Sequence, residues 1–146
     1  MDGGSDNLMG MSVDVDLLRS KISDVRFCIR ELLRLASKDF SDLSVDERYS
    51  IRYNIVVLVE SLVSICMHIA VEAYGKTPSS YREAVRFVGE RLNLGCVHDL
   101  EGLVGLRNLL IHRYWVVDDE RVYASIKENL ECVKKLLSRV EEEFIG

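Results

Sequence analysis

Hydrophobic residues recur along this chain at alternating spacings of three and four, the spacing that places them on one face of an α-helix. The three longest series lie between about residues 13 and 37, 44 and 74, and 118 and 144. Their members are Leu18, Ile22, Val25, Ile29, Leu32 and Ala36; Ile51, Ile55, Leu58, Leu62, Ile65 and Ile69; and Val122, Ile126, Leu130, Val133, Leu137, Val140 and Phe144. Three long amphipathic helices are therefore predicted.

Capping residues predict where the helices begin and end. Ser44 and Glu47 form a capping-box pattern at the start of the second long helix, and Gly75 suits its end. Thr77 followed by Pro78 predicts the start of a short helix reaching about Leu92. After the break at residues 93–95, a fourth helix is expected to carry the segment 107–115.

The second long helix is apolar on a further side as well, through Val56, Val57, Val63, Met67 and Ala70. A helix that is apolar on two sides needs more than one partner surface. We therefore expect this helix to be central in the fold or to lie at a subunit interface.

The pattern as a whole predicts an all-α protein. One proline and no sustained alternation of polar and apolar residues leave no strand signal. We expect an antiparallel up-and-down bundle of about five helices, three long and two shorter, forming a single domain over residues 13–146. The polar, glycine-rich residues 1–12 are expected to be a flexible leader.

Composition narrows the class of protein. The net charge of −5 argues against binding nucleic acid by bulk electrostatics, so any RNA site must be local. No signal peptide and no sufficiently long apolar run is evident, so we expect a cytoplasmic protein without a membrane partner. The four cysteines are widely spaced and are expected to be reduced, mostly buried thiols, and we expect no metal and no cofactor.

Chemistry is concentrated in the segment from Arg107 to Trp115, where an arginine, a histidine and a tyrosine interrupt apolar sequence. Arginine can bind a phosphate through two hydrogen bonds, and histidine can give and take a proton near neutral pH. This pairing suits cleavage of a phosphodiester.

The spacing of this pair poses a geometric problem. On one straight helix, Arg107 and His112 lie about 140° apart around the axis and ~7.5 Å along it, too far to share one phosphate readily. Either the helix ends or bends near His112, or a second copy of the helix completes the site in a homodimer. In a purely structural interpretation, His112 is a hydrogen-bonded residue near a helix end, and Arg107 is a buried ion-pair partner of Glu101 or Asp99.

The string RNLLIHRYW fits the pattern R-x4-H-x-Y and resembles the HepT-like branch of the HEPN superfamily, small helical proteins that pair with MntA-like minimal nucleotidyltransferases. The resemblance covers most of the chain beyond residue 12. It implies a bundle that dimerises so that the motifs of two protomers line one cleft. Members of the family act as RNA endonucleases, many of them toxins.

Carried onto this sequence, the resemblance makes Arg107 and His112 the catalytic pair, which would cleave RNA without a metal through its 2′-hydroxyl. Asn108 and Arg113 would support the pair or bind RNA. Tyr114 would be the residue to which an MntA-like nucleotidyltransferase antitoxin attaches AMP, silencing the toxin. The alternative is a non-catalytic helical subunit that binds substrate for a nucleotidyltransferase or regulates it.

Other polar residues are given structural interpretations. We expect Arg82, Arg86 and Arg91 to form a charged helix face rather than a basic channel. His68 is expected to be a satisfied core or interface histidine, and His98 a residue at the start of a helix.

Overall fold

The computed structural model describes residues 13–146, and these residues form five α-helices. The helices are α1 (Val15–Ala36), α2 (Val45–Tyr74), α3 (Tyr81–Arg91), α4 (Val97–His112) and α5 (Asp119–Val140). Two 3₁₀ turns (Phe40–Asp42 and Tyr114–Val116) lie between helices, and a π-helical turn (Glu141–Ile145) continues α5. The predicted all-α bundle is confirmed, and the leader predicted for residues 1–12 lies outside the described residues.

Side-chain caps set the starts of the long helices. Asp14 accepts a hydrogen bond from the backbone N–H of Leu17 before α1. At the start of α2, the Ser44 hydroxyl accepts from the N–H of Glu47 at 3.1 Å, and the Glu47 carboxylate accepts from the N–H of Ser44 at 2.9 Å. The predicted capping box is therefore confirmed, and so is the end of α2, where Gly75 adopts φ 62°.

The predicted start of α3 is wrong. Thr77 and Pro78 lie in the connection, and the helix begins at Tyr81. Ser80 is the cap, because its hydroxyl accepts a hydrogen bond from the backbone N–H of Glu83. Ser80 and Glu83 have the spacing of a capping box, but the Glu83 carboxylate accepts from the Ser79 hydroxyl, so only the Ser80 half of the box forms.

α2 is the central helix of the bundle and packs against α1, α3 and α4. By length and composition it could cross a membrane, but 61% of its most apolar window is buried inside the protein. Of its second apolar side, Val63 and Ala70 are buried, while Val56, Val57 and Met67 are half-buried. Contacts within one chain thus account for most of this apolar surface, and the central position is confirmed.

Contacts between helices define their directions. Asp14, before α1, donates its backbone N–H to His68 Nε2 near the end of α2, so α1 and α2 are antiparallel. α5 starts beside the end of α1, where the Tyr123 hydroxyl donates to the Ala36 carbonyl, and it ends beside Arg26, which pairs with Glu141 at 2.6 Å. α1 and α5 are therefore antiparallel as well.

The shorter helices α3 and α4 pack against α2 and against each other. α3 begins beside the middle of α2, where the Tyr81 hydroxyl donates to Glu60, and Phe87 stacks edge-on against Tyr74 at the end of α2. α3 therefore runs in roughly the direction of α2. α4 then returns antiparallel to α3, since Gly89 near the end of α3 lies beside Val97 at the start of α4, whereas Arg82 at the start of α3 lies beside Gly105. Between them Arg86 pairs with Glu101 at 3.1 Å.

Two histidines have the structural roles expected for them. His68 accepts the backbone N–H of Asp14 at 2.8 Å, which makes it a satisfied histidine linking α1 and α2. His98 is the second residue of α4.

The expectation of four reduced cysteines is wrong for two of them. Cys96 and Cys132 form a disulfide between the N-cap of α4 and the middle of α5, whereas Cys28 and Cys66 are free and buried. Sequence spacing did not indicate this pair, because the two residues are 36 positions apart and meet only when α4 and α5 pack. Burial raises the pKa of the Cys66 thiol to about 12, so this thiol stays protonated.

The disulfide should contribute measurably to stability. Cross-linking across 36 residues restricts the unfolded chain, so Cys132→Ser should lower the free energy of unfolding by about 3 to 4 kcal/mol in the chain-entropy account. Urea unfolding with and without a thiol reductant measures this difference. Reductant should shift the wild-type midpoint to that of the variant and leave the variant unchanged, and a wild-type midpoint insensitive to reductant would contradict the cross-link.

Candidate active site at the end of α4

α4 ends inside the motif. His112 is its last residue, Arg113 leaves the helix with φ −145° and ψ 47°, and Tyr114–Val116 forms a 3₁₀ turn. The prediction that one helix carries the whole segment 107–115 is therefore wrong. The run of aromatic and β-branched residues after Arg113 has weak helix propensity.

A tertiary contact holds the chain where it leaves α4. The Arg52 guanidinium on α2 donates to the Tyr114 carbonyl at 2.9 Å, to the Val117 carbonyl at 3.2 Å and to the Asp119 carboxylate at 2.7 Å. One side chain thus supplies donors to two carbonyls outside the α-helices, and it joins the turn to α2 and to the start of α5.

Arg107 lies on the inner side of α4, with 18% of its side chain exposed. Its Nη2 lies 2.5 Å from Glu60 Oε2 on α2, and its Nη1 donates to Asn108 Oδ1 at 3.0 Å. The guanidinium also lies over the Tyr81 ring, 4.9 Å from its centroid. Residues from three helices therefore surround this group.

Tyr81 and Glu60 are themselves connected. The Tyr81 hydroxyl donates to Glu60 Oε1 at 2.9 Å. This hydrogen bond, with a smaller contribution from burial, raises the pKa of Tyr81, so its phenol stays protonated near neutral pH. One oxygen of Glu60 thus accepts a hydrogen bond from the phenol, and the other forms an ion pair with Arg107 without hydrogen-bond geometry.

The structural interpretation of Arg107 is correct about an ion pair but wrong about its partner. Glu101 pairs with Arg86 rather than with Arg107, and this pairing lowers the pKa of the Glu101 carboxyl. The actual partner, Glu60, is 47 positions away in sequence on another helix. Such an ion pair is compatible with a purely structural role for Arg107 and equally with a role in binding an anion.

His112 does not meet Arg107 within one protomer. Both residues belong to α4, so the separation of about 140° around the axis and ~7.5 Å along it applies. His112 is exposed at the end of the helix, and in residues 13–146 no hydrogen bond links the two side chains. The helix does end at His112, as the first alternative required, but this does not bring the pair together.

The turn after α4 exposes aromatic side chains next to the motif. Tyr114 is 60% exposed and Trp115 67% exposed, and their rings pack edge to face with centroids 5.3 Å apart. On α2, Tyr49 and Tyr53 flank Arg52 and are exposed as well. The hydroxyl of Tyr114 is therefore on an accessible surface.

The remaining arginines of the region have separate roles. Arg113 is exposed between His112 and Tyr114. On α3, Arg86 pairs with Glu101, and Arg91 lies over the Phe87 ring at 4.8 Å, as expected for a charged face with structural contacts. Arg82 passes close to α4 where that helix has Gly105: a Cβ there would lie 2.7 Å from the Arg82 guanidinium.

Sequence reasoning missed Arg52, Glu60 and Tyr81. A signal existed for Glu60, which is the only charged residue between Asn54 and His68 in the most apolar helix of the chain. A carboxylate in such a position needs a cation or a hydrogen-bond donor. Nothing local indicated Arg52 or Tyr81, whose partners are distant in sequence. Among residues 13–146, no group of three or more His, Cys, Asp or Glu side chains could hold a metal ion.

Comparison with known proteins agrees with this architecture. The family model described as ribonuclease HepT-like matches residues 26–140. A candidate RNase of Archaeoglobus fulgidus is 34% identical over 95 residues, which are 62% of this chain and 69% of the relative. The chain belongs to the HepT-like ribonuclease family.

Solved structures share the fold. A tri-AMPylated HEPN toxin of Shewanella oneidensis in complex with an MNT antitoxin superposes with a TM-score of 0.75 and 21% identity, covering 88% of this chain and 98% of that one. A toxin–antitoxin structure with AMP-PNP gives a TM-score of 0.77 and 21% identity over 88% of this chain and 99% of that one. A mutant MntA-HpeT toxin–antitoxin structure gives 0.75 and 22% identity over 88% and 99%.

Arg52 should control the order of the turn that carries Tyr114. Arg52→Ala leaves two part-buried acceptors, the Val117 carbonyl and the Asp119 carboxylate, without this donor. We therefore expect a loss of about 1 to 3 kcal/mol in stability and faster hydrogen exchange at the Val116 and Val117 amides. Arg52→Lys should restore little, because one ammonium cannot reproduce the planar fork. Site-resolved exchange measured by NMR tests this.

The control is Arg48→Ala, one turn earlier on α2, where the guanidinium lies over the Phe40 ring instead. This change should leave exchange in the turn unaltered relative to the rest of the protein. Equal acceleration in both variants would mean that Arg52 has no local role.

Proposed function

We propose that this protein is the toxin of a toxin–antitoxin system: an RNA endonuclease that acts as a homodimer in the cytoplasm and is restrained by an MntA-like minimal nucleotidyltransferase. One observation carries the proposal. α4 presents an R-x4-H pair in which the Arg107 guanidinium is held by contacts from other helices and the His112 imidazole is exposed. Membership of a ribonuclease family and a fold shared with solved toxins support it.

The proposed reaction needs only groups that the chain can supply. The 2′-hydroxyl of RNA attacks the adjacent phosphorus, the bond to the 5′-oxygen breaks, and a 2′,3′-cyclic phosphate and a 5′-hydroxyl result. His112 moves a proton at these oxygens, and Arg107 stabilises the negative charge that develops on the phosphorane. Asn108 supports Arg107, and Arg113 contacts the RNA backbone. This chemistry requires no metal and no cofactor.

A second protomer completes the proposed site. Since Arg107 and His112 diverge on one helix, Arg107 of one protomer acts with His112 of the other when two α4 ends face each other. Leu109 and Ile111, within the same stretch of α4, are 40% and 45% exposed. Exposed apolar residues beside a divided site favour an interface there.

A mixing experiment tests the divided site. Arg107→Ala and His112→Ala should each lower RNA cleavage by about 100-fold or more as homodimers. Mixed one to one with exchange of protomers, they should recover about a quarter of wild-type activity, because half the dimers are mixed and only one of the two Arg–His pairings in each is intact. Cleavage of a fluorescent RNA, with a DNA copy as control, measures the recovery.

Sedimentation should show dimers for both variants and for the mixture. Two active homodimeric variants would remove the nuclease proposal and favour a non-catalytic subunit of a nucleotidyltransferase. Inactive variants without recovery on mixing would place both residues of a site in one protomer.

Tyr114 is the proposed site of silencing. Its exposed phenol attacks the α-phosphorus of ATP, the bond to the β-phosphate oxygen breaks, pyrophosphate leaves, and the phenolic proton passes to a base of the nucleotidyltransferase. AMP attached there places negative charge beside His112 and Arg113, where the RNA phosphate would bind. The modified state of the Shewanella toxin supports this mode of control.

Tyr114→Phe should escape this control. Incubated with the partner nucleotidyltransferase and ATP, wild-type protein should gain the mass of AMP and lose RNA cleavage. The variant should keep its original mass and its RNA cleavage. Tyr53→Phe, another exposed tyrosine nearby, is the matched control and should be modified like wild type. Unchanged adduct mass in Tyr114→Phe would assign the modification to another residue.

A further inference from the structure

We infer that Glu60 and Tyr81 are positioning residues for the cleavage reaction: Glu60 holds the Arg107 guanidinium, and Tyr81 holds Glu60, in the orientation in which Arg107 meets the phosphate. The inference rests on the proposed function. Neither residue belongs to the R-x4-H-x-Y motif, and they come from α2 and α3 rather than from α4.

An arginine side chain has many rotamers, and a flexible guanidinium stabilises a transition state poorly because it must be ordered during the reaction. Contacts with three residues order the Arg107 guanidinium before RNA binds. Glu60 contacts Nη2 at 2.5 Å, Asn108 accepts from Nη1 at 3.0 Å, and the Tyr81 ring covers one face. Asn108 uses one hydrogen of Nη1, and the contact of Nη2 with Glu60 is an ion pair without hydrogen-bond geometry. Since each terminal nitrogen carries two hydrogens, N–H groups remain on both for a phosphate oxygen.

Tyr81 contributes through both parts of its side chain. Its ring packs on the guanidinium, and its hydroxyl donates to the Glu60 oxygen that does not face Arg107. Because Tyr81 is the first residue of α3, directly after the Ser80 cap, the start of that helix fixes its place. The raised pKa of Tyr81 keeps the phenol a donor near neutral pH.

The negative charge of Glu60 does not itself favour the binding of RNA, since it offsets part of the positive charge that Arg107 offers to a phosphate. Its value to the reaction must lie in orientation. Charge and orientation can be separated by substitution, because glutamine keeps an acceptor oxygen and loses the charge, whereas alanine loses both.

The experiment compares kcat and KM for RNA cleavage in full-length Glu60→Gln, Glu60→Ala and Tyr81→Phe. Loss of orientation in Glu60→Ala should lower kcat by about 100-fold, and Tyr81→Phe, which keeps the ring, by about tenfold. Glu60→Gln should keep kcat within about threefold of wild type with an equal or lower KM. Glu72→Ala, which removes a carboxylate elsewhere on α2, is the matched control and should change neither constant.

NMR of the arginine side chains measures the restriction of the Arg107 guanidinium in the absence of RNA. In wild type and Glu60→Gln, restricted rotation should give Arg107 separate Nη proton signals, and in Glu60→Ala these should merge. Tyr81→Phe keeps the size of the side chain and so tests the inference even if Glu60→Ala folds poorly.

The outcomes separate the two claims. Wild-type protein that cleaves no RNA overturns the proposed function, and with it the role assigned to Glu60 and Tyr81 in catalysis, whatever the NMR shows. Active wild-type protein with unchanged kcat in both Glu60→Ala and Tyr81→Phe overturns the inference alone. An equal loss of kcat in Glu60→Gln and Glu60→Ala also overturns it, because charge rather than orientation would then be what matters.

Discussion

The contact of Arg107 with Glu60 is the interaction on which the functional end of this bundle depends. It joins α4 to α2, and through Tyr81 it includes α3. Removing charge from water is costly, and contacts with other groups offset that cost. Arg107 is mostly buried, and the Glu60 carboxylate, the Asn108 amide and the Tyr81 ring contact it, although its Nε has no hydrogen-bond partner among residues 13–146. The packing of three helices and the orientation of one guanidinium are therefore set together.

Under the proposed function, the same contact explains why the site needs two chains. A guanidinium anchored toward α2 and α3 cannot also turn toward the exposed end of α4, where His112 lies. In the proposed reaction, the contacts that fix Arg107 therefore also keep it away from His112 of the same chain. In the proposed dimer, each protomer keeps its arginine fixed and presents its histidine to the RNA phosphate that the arginine of the other protomer binds.

Local signals in the sequence predicted the helices well, because spacing, the capping box at Ser44 and the glycine after Tyr74 act over a few residues. One error was local, since α3 begins after the Ser80 cap rather than at Thr77–Pro78, and the other errors involve distant partners. The end of α4 depends on Arg52 from α2, the partner of Arg107 lies on α2, and Cys96 meets Cys132 only after two helices pack. The candidate residues could be named from the motif, but their orientation required the tertiary structure.

The disulfide has a consequence for the integrity of the motif segment. Cys96 and Cys132 enclose α4, the exposed turn and the first half of α5 in one covalent ring, which contains Arg107, His112 and Tyr114. A protease that cut the backbone at the exposed turn would therefore open the ring without separating the molecule. Both cut ends would stay tethered close to their original places, one by α4 and the other by α5, for as long as the sulfur–sulfur bond remained oxidised.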